Sequence, residues 1–180
     1  MHLKEQYIKE IAPALLKELE ISNPMDIPKL EKVVLNMWIW SYIRAWNKDF
    51  SSLQNHLALI SGQSPVVRYA SKSISNFKLR EWMPVGLSVT LRGENMYNFI
   101  EKLVNVVLPR VRDFRGISKK SFDKNGNYNF WVSEHTIFPE VPQDDVIKAH
   151  WIQITVKTTA KNPEAGRALL EKMAFPFVKK

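Results

Sequence analysis

Apolar positions along the chain switch between two periods. Over residues 3–19, Leu3, Tyr7, Ile8, Ile11, Leu15 and Leu19 recur at helical spacing, and Pro13 among them predicts a kink or two short helices. Asn23-Pro24 and Pro28 mark a turn. From Leu30 the period becomes two. Val33, Leu35, Met37 and Ile39 alternate with Lys32, Val34, Asn36, Trp38 and Trp40, the signature of a half-buried strand. Ser51-Ser52 predicts the cap of a helix with an apolar face of Leu53, Leu57 and Ile60, closed by Gly62.

Residues 65–69 read as a short strand. Val85, Leu87, Val89 and Leu91 alternate with Gly86, Ser88, Thr90 and Arg92, and Gly93 ends that strand. Met96, Phe99, Ile100, Leu103, Val104, Val107 and Leu108 form the clearest helical stripe, closed by Pro109. Tyr128, Phe130 and Val132 alternate, as do Ile152, Ile154 and Val156, with a loop predicted over 135–145. Asn162 predicts the cap of a last helix that starts with Pro163 and buries Leu169, Leu170 and Met173.

Strands buried on both faces of a parallel sheet would show continuous apolar runs, whereas these alternate. The pattern therefore predicts an α+β fold: a mainly antiparallel sheet with helices packed on one face and the other face open to a partner. With no repeat, linker or low-complexity tract, residues 1–180 are expected to form a single domain.

Composition sharpens the partner. Lys and Arg outnumber Asp and Glu by 26 to 18, a net charge of +8, and such a surplus favours a polyanion because neutralised phosphates release counterions. A merely solvated basic surface is the plain alternative. The absence of cysteine excludes disulfides and thiolate metal sites. The polar start, Met1 to Gln6, and the lack of a long apolar run predict a cytoplasmic protein with no membrane partner.

Catalytic signals are weak. His2, His56, His135 and His150 lack metal-ligand spacing, and each is expected to be a surface or satisfied side chain. Asp144-Asp145 suits a helix start or loop. There is no phosphate-cradling glycine loop and no nucleophile elbow. No enzyme, cofactor or metal site is expected.

Binding signals are better. Lys72, Lys78 and Arg80 lie with Ser71, Ser73, Ser75 and Asn76 in a flexible-looking loop, a mixture suited to sugar–phosphate contact. Arg110, Arg112 and Arg115 form a second cluster, in which helical spacing would put Arg112 and Arg115 on one side. Strand parity sends Trp38, Trp40, Trp131 and Trp151 to the open face. There they form either an aromatic platform for unpaired bases or a surface covered by another protein.

The chain resembles the bacterial large-subunit ribosomal protein five family. The resemblance runs through residues 28–37, Ser61-Gly-Gln-Ser-Pro-Val-Val67, residues 72–80, Val89-Thr-Leu-Arg-Gly-Glu94, residues 108–116, Gly126-Asn-Tyr128, Ile137-Phe-Pro-Glu140 and Thr158-Thr-Ala-Lys161. It implies a non-catalytic protein of the central protuberance of the large subunit, which anchors 5S rRNA beside other central-protuberance proteins. By position, Asn36 and Met37 would meet 5S rRNA, with Ser88, Thr90 and Arg92 as further candidates; the open-face parity adds Trp38 and Trp40. The stretch Lys72, Ser73, Asn76, Phe77, Lys78 and Arg80 would reach P-site tRNA. The region of Arg112, Arg115, Pro139, Glu140 and Asp144 would face small-subunit ribosomal protein thirteen. The alternative from another class is a free-standing single-stranded-RNA-binding module using the tryptophan platform.

Departures from the family concentrate in one exchange. Where the family has glycine, this chain has Trp38, Trp40, Trp82, Trp131 and Trp151; Trp46 falls in a variable stretch. Six glycines is also about half of the usual ~7% share. A gene whose UGA codons mean glycine, written out with tryptophan at UGA, would show this exchange. Asn76 and Lys124 also stand at frequent glycine positions, tolerable because Asn accepts a left-handed backbone and Lys124 is expected in a turn.

Overall fold

The computed structural model describes residues 2–45, 49–142 and 149–178. Trp46, Asp144 and Asp145, and with the last two part of the predicted 135–145 loop, lie outside them.

The first helical run passes through α1 (Leu3–Gln6), a wider i→i+5 turn over Tyr7–Ile11, and α2 (Ala12–Glu18). Pro13 sits at the start of α2, where the wider turn accommodates its missing N–H. Strand β1 (Leu30–Trp38) follows the predicted alternation, with Val33, Leu35 and Met37 buried. It ends two residues earlier than expected. Ile39 takes a helical backbone and α3 (Trp40–Arg44) begins at once, so Trp40 is not a strand residue.

Helix α4 (Ser51–Ser61) buries Leu53, Leu57 and Ile60. Its serines do not cap it; instead the Asp49 carboxylate accepts from the Ser51 N–H at 2.9 Å and hydroxyl at 2.6 Å. Gly62 closes the helix in the left-handed conformation, φ +65°. Strands β2 (Val66–Tyr69) and β3 (Pro84–Leu91) pair antiparallel, Arg68 opposite Gly86. Helix α5 (Gly93–Lys102) carries the long apolar stripe into a second wide turn, Leu103–Val107, and a tight turn at Pro109. Strands β4 (Tyr128–Val132) and β5 (Ile152–Thr158) alternate as read, and α6 (Pro163–Lys172) follows. Asn162 occupies the cap position of α6, but its side chain makes no capping hydrogen bond.

The five strands form one antiparallel sheet in the order β2-β3-β1-β5-β4, an α+β fold. By packing, the chain divides into two compact units. The first comprises Met1–Val33, Leu91–Phe130 and Thr155–Lys180; the second comprises Val34–Thr90 and Trp131–Ile154. In the first unit, Tyr128 anchors an aromatic cluster with Phe122, Phe130 and Phe177, at ring distances of 4.6, 5.6 and 5.6 Å. Gly126 and Gly166 also meet there backbone to backbone. Gly126 has φ +73°, and a Cβ on it would fall 2.7 Å from the Asn162 carbonyl oxygen, so only glycine fits.

The second unit packs Leu35, Met37, Ile39, Leu57, Ile60, Leu87 and Phe138, all buried. It also encloses three of the four histidines. His56 stacks on His135 at 5.4 Å, and His135 tilts toward His150 at 6.0 Å. The His150 N–H donates to His135 Nδ1 at 3.1 Å, and Tyr42 meets His150 edge-on. Burial, with His56 and His150 beside it, pushes the His135 pKa down to about 4. Spacing along the chain gave no sign of this cluster, because contact between residues 56, 135 and 150 is made by the fold.

Candidate nucleic-acid interface

In the second unit, the outward positions of β1, β3 and β5 border a concavity of about 710 Å³. Asn36, Met37 and Trp38 line it from β1, Arg68 from β2, Gly86 from β3, and Trp131, Trp151 and Gln153 from β4 and the start of β5. Arg68 owes its place to pairing. It stands opposite a residue without a side chain, so its own can lie over bare backbone. Neither Arg68 nor Gln153 stands out in the sequence, because each is a single polar residue in a short alternating run.

The expected sheet-face contacts separate. Asn36 and Trp38 face outward, but Met37 is only 1% exposed, its side chain on the core side. Trp40 is half-buried at the start of α3 rather than on a strand. Ser88 is buried and Thr90 half-buried, which limits side-chain contact there. Arg92 is exposed, one residue before α5.

Residues 70–83 form a closed hairpin rather than a slack loop. The Ala70 N–H donates to the Met83 carbonyl and the Trp82 N–H to the Ala70 carbonyl, both at 2.9 Å. Ile74 and Leu79 exchange backbone bonds at 2.9 and 3.1 Å, and Ser73 Oγ accepts from the Glu81 N–H at 2.8 Å. At the tip, Lys78 takes the left-handed conformation that the sequence had suggested for Asn76. Residues 71–78 and Arg80 are all exposed, Phe77 among them. Lys72, Ser73, Asn76, Phe77, Lys78 and Arg80 are thus presented together on an ordered arm.

Arg110, Arg112 and Arg115 are exposed in the first unit, but the last helical turn ends at Arg110, before the other two. Arg112 lies in a turn whose next residue, Asp113, has φ +52°, so helical spacing does not govern Arg112 and Arg115. Exposed Pro139 and half-buried Glu140 belong to the second unit. Among the described residues no group of three or more His, Asp or Glu could hold a metal ion, and no helix is long and apolar enough to cross a membrane.

Two family descriptions match the chain: Ribosomal protein L5 over residues 23–80, and the C-terminus of the same ribosomal family over residues 84–177. The chain belongs to the ribosomal protein L5 family. Large ribosomal subunit protein uL5 of Thermosipho africanus is 52% identical over 97% of this chain and 96% of its own. The uL5 protein of Thermotoga maritima is 52% identical over 97% of this chain and 95% of its own. That of Syntrophotalea carbinolica is 51% identical over 99% and 96%. Membership of this family makes the role structural rather than enzymatic. A large-subunit ribosomal protein has ribosomal partners such as rRNA, a polyanion.

Proposed function

We propose that this chain, a structural constituent of the large subunit in the cytoplasmic ribosome, binds 5S rRNA through the outward sheet face and reaches P-site tRNA with the 70–83 hairpin. The observation that carries the reading is the exposed arm. Three long cations, short hydroxyls and Phe77 stand clear of the body of a ribosomal protein, suited to sugar–phosphate and base contact. On the sheet, Asn36, Arg68 and Gln153 supply donors and acceptors beside the bare backbone of Gly86. Arg92, Arg112 and Arg115 are further exposed cations, in the first unit, and Arg112, Arg115, Pro139, Glu140 and Asp144 are candidates for contact with small-subunit ribosomal protein thirteen. Residues 1–180 act as one domain in this reading.

Binding to folded 5S rRNA, measured against an unpaired RNA of equal length over a salt series, tests the proposal. Folded 5S rRNA should bind at least about tenfold tighter, and Arg68→Ala should weaken binding and flatten the salt slope by about one charge. Lys78→Ala should leave 5S binding unchanged and weaken contact with tRNA on the assembled ribosome. Equal affinity for any unpaired strand would instead favour a free-standing single-strand binder using the tryptophans.

A further inference from the structure

We infer that positions 38, 40, 82, 131 and 151 are glycine in the protein its own cells make, because UGA codons read there as glycine have been written out as tryptophan. Three different physical faults meet at these five positions, and a single change of codon meaning removes them all.

The first fault is in the backbone. Trp82 has φ +63°, a region that L side chains enter at a cost and glycine enters freely. The site is held there by the hydrogen bond from the Trp82 N–H to the Ala70 carbonyl that closes the hairpin. The indole is 76% exposed, so packing does not offset the strain. The second fault is polar. Trp40 Nε1 is buried and finds no acceptor among the described residues, although a buried indole N–H ordinarily has one.

The third fault is exposure. Trp38, Trp131 and Trp151 are 60–63% exposed, although tryptophan is on average a highly buried residue. Trp131 and Trp151 touch only edge to face, at 6.4 Å. A genuine stacking platform would account for these three, which border the same concavity. It accounts neither for the left-handed backbone of Trp82 nor for the buried donor of Trp40. Glycine suits all five, and it leaves bare backbone on the outward strands where a nucleic acid could approach closely. The totals agree: six glycines in 180 residues is well below the ~7% norm, alongside six tryptophans.

Peptide mass spectrometry on the chain purified from its own cells, read beside the codons of its gene, tests this. UGA at the five positions, with peptides lighter by the exchange of an indolylmethyl group for hydrogen, is the expected result. UGG codons there, or tryptophan masses in those peptides, would overturn it. The inference does not rest on the RNA-binding reading. Failure of that reading shows as equal affinity for folded 5S rRNA and an unpaired strand, whereas the peptide masses are read whatever RNA the chain binds.

Discussion

In the first unit the outward positions of β4 and β5 answer one another. The Thr155 hydroxyl donates to Asn129 Oδ1 at 2.6 Å, and Lys157 pairs with Glu31 at 2.9 Å, a contact that holds the Glu31 carboxyl below its usual range. In the second unit the outward positions carry indoles, with Asn36, Arg68 and Gln153 between them. The cores differ in the opposite sense. Beneath its polar face the first unit holds the Tyr128 aromatic cluster, whereas the second encloses three imidazoles. A face that satisfies its own polar groups has little need of a partner, whereas an apolar, donor-bearing concavity over a titratable core gains from being covered.

The largest way to break this contrast is through the first unit's core. Tyr128 is fully buried, touches three aromatic rings and donates its hydroxyl to the Ser118 carbonyl at 2.7 Å. Tyr128→Ala should cost about 4 kcal/mol in urea unfolding, as expected for removing a large buried aromatic side chain and its hydrogen bond.

Acid should act next, and on the second unit. His135 is neutral in the fold because its pKa is lowered to about 4, whereas the unfolded chain binds that proton near 6.5. The unfolded state thus takes up the proton first as pH falls. The stabilisation is complete above about 6.5 and fades toward 4, so moving from pH 7 to pH 5 should cost about 2 kcal/mol. Unfolding curves at the two pH values check this, and equal stabilities would exclude it.

The smallest effect concerns the hairpin. Trp82→Gly should raise stability by about 1 kcal/mol by relieving the left-handed backbone, read as a higher urea midpoint. A drop would mean that the indole contributes more through contact than its backbone costs.

The candidate interface was legible in part. Lys72, Lys78 and Arg80 advertised the arm through local composition, and exposure of that stretch follows from its polarity. That the arm is a closed hairpin was hidden, since its bonds join residues 70 and 83 and residues 74 and 79 across an uneven, mostly polar stretch. Met37 was legible from two sides. Resemblance placed it at the RNA, while its own alternation with Leu35 and Ile39 already pointed its side chain into the core.

Periodicity by itself determined the strands, the long stripe of α5 and the α+β class, because burying one face imposes a period of two or about 3.6 on the sequence. Composition determined the absence of thiol chemistry and the basic balance. Only the tertiary structure decided that His56, His135 and His150 share one buried cluster, that Arg68 faces Gly86, and that Trp40 leaves the strand. These are contacts between residues distant in sequence, or a local change of backbone that neighbouring residues permit and packing selects. The left-handed turn at Trp82 belongs to the same group: the chain names the residue, but only the closed hairpin sets its φ.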